Sequence, residues 1–233
     1  MIWVGTSGYN YPEWRGTFYP ERFPASEMLA YYAERLSTVE INYTFYRMPS
    51  EKALQGWADG TPEQFRLALK APQRITHQSK LRDCAETVEV FLKRAALLKE
   101  KLGPILFQLP PWMRKDVPLL EEFSGYLPAG TRAAFEFRHG SWFDDDVYEC
   151  LKGGELALCI ADSEKLSTPP VRTADYGYLR LRDEGYGPAD IARWAGVVRE
   201  LEGAASEVFV YFKHEEAGKG PAFARLLMTE LGM

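Results

Sequence analysis

The sequence of 233 residues predicts an α/β fold, a single-domain (β/α)8 TIM barrel that spans residues 1–233. Short apolar runs alternate with helical patterns to the end of the chain, and there are eight such runs. The length is slightly below the roughly 250 residues typical of this barrel, and no long linker or low-complexity tract suggests a boundary. An open doubly wound sheet is the alternative, but the glycine-rich nucleotide-binding motifs typical of that fold are missing from the sequence.

Each predicted strand is a short run rich in β-branched and aromatic residues. In chain order the runs are IWVGT (2–6), TVEIN (38–42), FRLALK (65–70), PILFQL (104–109), RAAFEF (132–137), ELALCIAD (155–162), YGYLRLR (176–182) and EVFVYFK (207–213).

The segments between the strands include runs with the apolar spacing of helices, and each run closes on glycine, proline or a polar residue. The clearest of these patterns cover residues 26–36, 83–103, 117–127, 189–203 and 221–232. A helical connection after every strand is what a barrel of eight βα units requires.

Composition and charge limit the class of protein. The formal net charge is −5 and the isoelectric point is about 5.4, so the surface as a whole is unsuited to coating nucleic acid or an anionic membrane. No run approaches the roughly 18 apolar residues of a membrane span, and no secretory signal pattern is present. Cys84, Cys150 and Cys159 form no C-x-x-C pair. We predict a cytoplasmic protein with reduced thiols and no membrane partner, and the oligomeric state stays open.

Side chains of alternate parity separate into an apolar set and a polar set in most of the predicted strands. In a TIM barrel the apolar set packs on the helices, and the polar set points inward near the carboxyl ends of the strands, where the active sites lie. The inward or strand-end polar set comprises Glu40, Asn42, Lys70, Gln108, Glu136, Arg138, Asp162, Arg180, Arg182, Tyr211 and Lys213. We predict one charged pocket there, and the alternative is an ion-pair network that only fills the barrel.

Several of these groups suit catalysis. The candidate catalytic residues are Glu136, Arg138, His139, Glu40, Lys70 and Asp162. A carboxylate beside cations stays ionised and serves as a general base or an electrostatic partner. His139 and His214 follow predicted strands five and eight. These positions suit an imidazole that transfers protons or binds a metal. The sequence has three histidines and no H-x-H or H-E-x-x-H spacing, so a catalytic metal is possible but not favoured. The cofactor is unknown.

The loops after the last two predicted strands share a pattern in which Gly-x-Gly-Pro-Ala opens a helix, at residues 185–189 and 218–222. Proline suits the first helical position, and the free N–H groups of a helix start attract anions. These loops commonly hold phosphate in TIM barrels. We therefore predict an anion subsite at Gly218, Lys219 and Gly220, and ordinary helix punctuation is the alternative.

The loops after the first four predicted strands are rich in basic and aromatic residues, among them Trp14 and Arg47. Such a rim suits stacked bases and a phosphate backbone, and the alternative is a local aromatic core with arginine stems lying over it. Two functions are therefore open. One is an enzyme acting on a small anionic substrate, such as a phosphorylated sugar or a nucleic-acid fragment. The other is a non-catalytic protein that binds nucleic acid through the rim.

Six stretches resemble one known family. GTSGYNYPEWRGTFYP (5–20), TVEINYTFYRMP (38–49), LKAPQRITH (69–77), LGPILFQLPP (102–111), EFRHGSW (136–142) and YFKHEEAGKGPAFA (211–224) are similar to the YecE-like family, DUF72. The resemblance covers nearly the whole chain. It implies a TIM-barrel fold, likened to sugar isomerases and apurinic endonucleases, and carries no established activity. The chain departs from many relatives at Lys213, His214 and Glu215, where they have an Asn-Asn-Asp-like stretch.

Overall fold

A computed structural model describes residues 1–163 and 166–233, which form a closed barrel of eight parallel strands. The strands are β1 (Ile2–Ser7), β2 (Thr38–Ile41), β3 (Arg66–Lys70), β4 (Leu102–Gln108), β5 (Ala133–Glu136), β6 (Ala157–Asp162), β7 (Tyr176–Leu181) and β8 (Glu207–Phe212). Each strand pairs with the next along the chain, and β8 pairs with β1. The predicted TIM-barrel fold is confirmed. We call the end where the carboxyl ends of the strands meet the barrel mouth.

The α-helices lie around the barrel. They are α1 (Met28–Ala33), α2 (Tyr43–Tyr46), α3 (Glu51–Asp59), α4 (Ala85–Ala95), α5 (Val117–Ser124), α6 (Asp145–Gly153), α7 (Pro188–Glu202) and α8 (Lys219–Leu231). No helix of the described residues is long and apolar enough to cross a membrane.

The connection from β6 to β7 has no helix in its described residues, 163 and 166–175, so the expected helix of the sixth unit is missing there. Pro169 and Pro170 supply no N–H donors and disfavour helical geometry in the residues before them. The loop instead packs along β6, where the Thr173 hydroxyl accepts from the Leu158 N–H at 2.7 Å and donates to the Leu156 carbonyl at 2.7 Å.

The helix predicted over residues 83–103 is too long. Helix α4 ends at Ala95, a tighter segment follows at Ala96–Lys101, and Lys99 has a positive φ of 52°. Lys101 explains part of this change, since its Nζ donates to the Ala58 and Thr61 carbonyls at 2.5 and 2.6 Å. These bonds secure the turn at the end of α3 and bring the chain to β4 at Leu102.

The barrel interior is apolar at the level of the strand centres. Its buried side chains include Trp3, Ala68, Leu106, Ala134, Cys159, Tyr178, Phe209 and Tyr211. The opposite parity packs against the helices, as Val39, Phe107 and Leu179 do. Small alanines on β3 and β5 leave space for the aromatic rings of β7 and β8, so the interior is filled up to the polar residues of the mouth.

A tyrosine hydroxyl lies between β1 and β2. Tyr32, on α1, accepts from the Thr6 N–H at 2.8 Å and donates to the Thr38 carbonyl at 3.0 Å. Gly5 sits at the same level, and a Cβ built on it would lie 1.9 Å from the Thr38 oxygen. The hydroxyl of a helix residue therefore hydrogen-bonds both strands at the level where Gly5 lets their backbones approach.

Candidate functional site

Arg180 on β7 is the centre of a buried ion network that crosses the barrel. Its Nε donates to both carboxylate oxygens of Glu40 on β2, at 3.0 and 3.1 Å, and its Nη1 donates to Glu136 Oε2 on β5 at 3.0 Å. Glu40 also accepts from Ser7 Oγ at 2.5 Å and from Tyr178 Oη at 2.7 Å. The predicted convergence of Glu40, Glu136 and Arg180 is present in the structure. We call these three residues the ion network.

The ionisation of the two glutamates depends on Arg180. Burial raises the pKa of each carboxyl group, but the charge of Arg180 opposes this effect, and the pKa of Glu40 and of Glu136 is held below its usual range. Arg182 and Arg138 act on Glu136 in the same direction. Both glutamates are therefore charged near neutral pH, and their low pKa makes them weak bases, so the network is suited to arranging charge rather than to carrying protons.

Further cations surround Glu136. The Arg138 Nε lies 3.5 Å from Glu136 Oε1, and the Arg182 Nη1 lies 3.6 Å from the same oxygen. Their side chains are 32% and 17% exposed, so both reach the solvent at the mouth.

Lys213 follows β8, and its Nζ lies 3.7 Å from Glu215 Oε1. Burial and the charge of Arg180 lower the pKa of Lys213.

A cavity of about 520 Å³ opens beside this cluster, and we call it the mouth pocket. Its lining includes Glu136, Arg138, His139, Thr168 and Arg182. The His139 Nδ1 accepts from the Ser141 N–H at 3.1 Å, which fixes the imidazole at the wall. The volume is typical of small-molecule sites.

A cavity of about 590 Å³ lies between α4 and the start of β4, lined by Leu92, Ala96 and Gly103 among others. It is at the opposite end of the barrel from the ion network and from the position that TIM-barrel active sites occupy. We therefore assign the candidate site to the mouth pocket.

Lys70 ends β3 and points inward. Its Nζ donates to Gln108 Oε1 at 2.9 Å and lies 4.2 Å from the centre of the Phe45 ring. Burial, followed by the charge of Arg180, lowers the pKa of Lys70 to about 7. Gln108 also accepts from Arg180 Nη1 at 3.3 Å, so its amide connects Lys70 to the ion network.

Asp162 lies outside the pocket, and its predicted place there is wrong. The inward residues of β6 are Ala157, Cys159 and Ala161, so Asp162 has the parity that faces the helices. Its carboxylate accepts from Tyr186 Oη at 2.9 Å and lies 3.9 Å from Arg193 Nη2 on α7. The prediction relied on its position at the strand end and not on the two-residue period of β6.

Several other predicted binding residues do not line the mouth pocket, and Tyr211, Asn42 and Arg47 are among them. Tyr211 is fully buried, and its hydroxyl is bonded to Thr38 Oγ1 at 2.8 Å, so the prediction that it contacts substrate is wrong. The interior of the barrel needs a large ring at that level. Asn42 is half-buried before α2, and its Nδ2 has no hydrogen-bond partner among the residues that the structure describes. Arg47 is exposed at the end of α2.

The two glycines of the predicted anion subsite, at 218 and 220, are required by the local backbone geometry. Gly218 has a φ of 73° and packs against Thr17, and a Cβ on Gly220 would lie 2.8 Å from the His214 carbonyl. Lys219 Nζ lies 3.4 Å from Glu216 Oε2, and His214 Nε2 donates to the Asp183 carbonyl at 2.7 Å. A cavity of about 300 Å³ here has three glutamates in its lining beside its two lysines, and the lining comprises Glu184, Lys213, His214, Glu215, Glu216 and Lys219.

Trp14 is fully buried, so its predicted role as a surface for stacked bases is wrong. Its ring centre lies 4.9 Å from that of Tyr11 and 5.8 Å from that of Phe18, and its indole N–H donates to the Glu215 carbonyl at 2.9 Å. The long loop after β1 therefore forms the aromatic local core that was the alternative. Burial of these large rings stabilises a segment that has little regular structure.

Among the residues that the structure describes, no three His, Cys, Asp or Glu side chains converge as metal ligands. Two residues of the site were missed from the sequence. Ser7 binds Glu40, and the parity of β1 could have identified it, whereas Tyr178, which also binds Glu40, has the inward parity of Arg180. Thr168 lies in the irregular loop after β6, where no periodic pattern gives a signal.

Comparisons with known sequences agree on one family. Residues 3–233 match the family model described as "Protein of unknown function DUF72". The chain is 31% identical over 144 residues to the UPF0759 protein YecE of Escherichia coli (strain K12), which covers 61% of this chain and 50% of that protein. The match thus spans about half the length of YecE. The UPF0759 protein YunF of Bacillus subtilis (strain 168) is 24% identical over 258 residues, covering 94% of this chain and 90% of YunF.

Two solved structures are similar over the whole chain. A DUF72 family protein from Thermotoga maritima MSB8 superposes with a TM-score of 0.87 at 28% identity, with 100% of both chains covered. A DUF72 family protein from Enterococcus faecalis V583 gives a TM-score of 0.84 at 21% identity, covering 100% of this chain and 96% of that one. At 21% identity, the similarity to the Enterococcus faecalis protein supports the fold only.

Proposed function

The chain belongs to the DUF72 family, and we propose that it is an enzyme acting on a small anionic substrate in the mouth pocket. The substrate class is a phosphate-bearing sugar or a molecule derived from nucleic acid. The observation that carries the proposal is the pair Arg138 and Arg182, two partly exposed guanidinium groups beside a carboxylate that Arg180 already neutralises.

The spacing of these groups supports an anion site. Arg138 and Arg182 lie 3.5 and 3.6 Å from Glu136, beyond the length of a good hydrogen bond, whereas Arg180 lies at 3.0 Å. Their N–H groups are therefore available to an oxygen anion that enters the pocket. Guanidinium groups bind phosphate and carboxylate with two parallel hydrogen bonds, which gives both affinity and orientation.

The chemistry of the pocket supports catalysis rather than storage. A buried ion network is a costly way to fill a barrel, and its fixed charges are suited to stabilising a charged transition state. His139 supplies an imidazole at the wall for proton transfer. A cytoplasmic location is part of the proposal, since Cys84, Cys150 and Cys159 are free thiols.

Phosphate titration tests the anion site. Arg138→Gln and Arg182→Gln are each expected to weaken the binding of inorganic phosphate by about tenfold, because each change removes a charge-assisted hydrogen bond. Isothermal titration calorimetry at fixed ionic strength measures the affinity. Lys219→Ala is the matched control and is expected to leave the affinity unchanged. Equal affinity in the wild type and both arginine variants would remove the mouth pocket as the anion site, and a loss in Lys219→Ala would move the site to α8.

Binding of single-stranded nucleic acid is the second candidate, and two exposed rings at the rim favour it. Tyr46 is 73% and Trp112 is 58% exposed, and Lys80 Nζ lies 4.8 Å from the Trp112 ring. Exposed aromatic rings beside basic groups are suited to stacked bases and phosphates. The burial of Trp14 reduces this surface, so the small anionic substrate is the favoured account.

Stacking on Trp112 and phosphate contact by Arg47 are expected to differ in their salt dependence. If a base stacks on Trp112, Trp112→Ala is expected to cost about 1 to 3 kcal/mol of binding free energy at every salt concentration. Arg47→Ala is expected to reduce the salt dependence instead, by a slope of about 0.7 for one phosphate contact. A short fluorescent oligonucleotide and a salt series provide the measurement. If the wild type fails to bind at low salt, this candidate is removed.

A further inference from the structure

Lys70 is an amine at the barrel mouth whose hydrogen-bond acceptor is an amide oxygen. Within residues 1–163 and 166–233, no carboxylate oxygen lies within 4.0 Å of its Nζ. We propose that Lys70 is a nucleophile that forms an imine with a carbonyl group of the substrate. The substrate class then narrows to anionic aldehydes and ketones. That the substrate is anionic rests on the proposed function, and that it carries a carbonyl group rests on Lys70.

The surroundings of Lys70 hold the amine in place without pairing it to a carboxylate among the described residues. The acceptor of Lys70 Nζ is the neutral amide oxygen of Gln108, which takes one N–H of either an ammonium group or a free amine. The Phe45 ring lies beside Nζ, and the Thr44 hydroxyl donates to the Lys70 carbonyl at 2.6 Å. The backbone and the side chain are therefore both fixed at the end of β3, and the residue is 9% exposed.

The charges around Lys70 favour the neutral amine. Burial has the largest effect on its pKa, and the positive charges of Arg180 and Lys213 act in the same direction. Glu136 and Glu40 oppose them, but both carboxylates are bonded to Arg180. His77, on the segment after β3, also lies near Lys70. With a pKa of about 7, close to half of Lys70 is neutral at pH 7, against less than about 0.1% of a lysine with the ordinary value of about 10.4.

The proposed step balances without a cofactor. The Nζ lone pair forms a bond to the carbonyl carbon while the π electrons of the C=O bond move to oxygen, which takes a proton from water. Nitrogen then loses a proton, and the hydroxyl group leaves as water after protonation, so a protonated imine remains. Added cyanoborohydride delivers a hydride to the imine carbon and converts the adduct into a stable secondary amine.

Reductive trapping tests the proposal on the full chain. Glycolaldehyde phosphate or glycolaldehyde is added with cyanoborohydride near pH 7, and the modified lysines are mapped by peptide mass spectrometry. Lys70 is expected to be modified at least about tenfold faster than the exposed Lys52 and Lys219, since it has far more neutral amine. Its rate is expected to rise as the pH passes upward through about 7 and then to level off, in line with its lowered pKa.

Three outcomes separate this inference from the proposed function. If Lys70 reacts faster with glycolaldehyde phosphate than with glycolaldehyde, and Arg182→Gln abolishes this preference, both the imine inference and the proposed function are supported. Equal modification by the two aldehydes supports the lysine chemistry and contradicts the anionic substrate. Modification of Lys70 no faster than that of Lys219 overturns the inference, whatever the phosphate titration gives. Lys70→Arg removes the amine and must lose the adduct, and because the mapping is done on the wild type, the test does not depend on the folding of that variant.

Discussion

Replacing Arg180 with methionine is expected to lower the free energy of unfolding by about 3 to 5 kcal/mol, the range for breaking a buried ion pair by removing one partner. The change leaves Glu40 and Glu136 buried without the cation that binds both of them. Methionine fills much of the same space, so the lost charge and not a cavity causes the effect. Urea unfolding near pH 7, followed by tryptophan fluorescence, measures the change.

Arg182→Met is the matched control. The Arg182 side chain is 17% exposed, and its Nη1 lies 3.6 Å from Glu136 Oε1. Removing it is therefore expected to lower the free energy of unfolding by no more than about 1 kcal/mol. Combining Arg180→Met with Glu40→Gln and Glu136→Gln removes the unpaired charges and is expected to recover most of the lost stability. A similar loss in Arg180→Met and Arg182→Met would contradict the assignment of Arg180 as the centre of the network.

The effect of Arg180→Met has a defined pH dependence. In the wild type the folded-state pKa of Glu40 and Glu136 is lowered, so their contribution is present above the unfolded value of about 4.3 and is lost as the pH falls through the folded pKa. In the variant, burial without Arg180 raises both pKa values, and these groups then favour folding at low pH. The difference between wild type and variant is therefore expected to be largest near pH 7 and to shrink toward pH 4.

Replacing Gly5 with alanine is expected to lower the free energy of unfolding by at least about 3 kcal/mol, at the upper end of the cost of overpacking. The added Cβ would lie 1.9 Å from the Thr38 carbonyl oxygen and 3.0 Å from Tyr32 Oη. The first contact is with backbone, which cannot rotate away, so β1 and β2 must separate. The same urea experiment gives the size of the loss.

Gly196→Ala provides the comparison. Gly196 lies inside α7, and a Cβ there would meet nothing within 4 Å. Because alanine is the better helix former, this change is expected to raise stability by about 0.5 to 1 kcal/mol. A cost below about 1 kcal/mol for Gly5→Ala would show that the two strands are further apart than described.

The sequence was sufficient to predict the barrel and the centre of the site. In β7, Tyr178 and Arg180 alternate with Leu179 and Leu181, and this two-residue period gives the direction of Arg180 without any structure. The same argument assigned Glu40 and Glu136 to the interior. Asp162 was misassigned because its position at the strand end was given more weight than the period of β6.

Other features depend on contacts that no local pattern encodes. Arg180 is separated from Glu136 by 44 residues and from Glu40 by 140, so their hydrogen bonds depend on the register of the closed barrel. Trp14 lies in an irregular loop, where neither the helical nor the strand period predicts burial. Its partners are known only once the loop is seen to fold over the ends of β1 and β8.

The hydroxyl of Tyr32 also bears on how the first helix is held to the barrel. The Thr6 N–H and the Thr38 carbonyl, on neighbouring strands, are both satisfied by a group carried on α1. In the folded barrel these two buried backbone groups therefore take a hydrogen bond from a helix side chain. A single phenol thus ties the position of α1 to the pairing of β1 with β2, so that a displacement of the helix would also disturb the two strands.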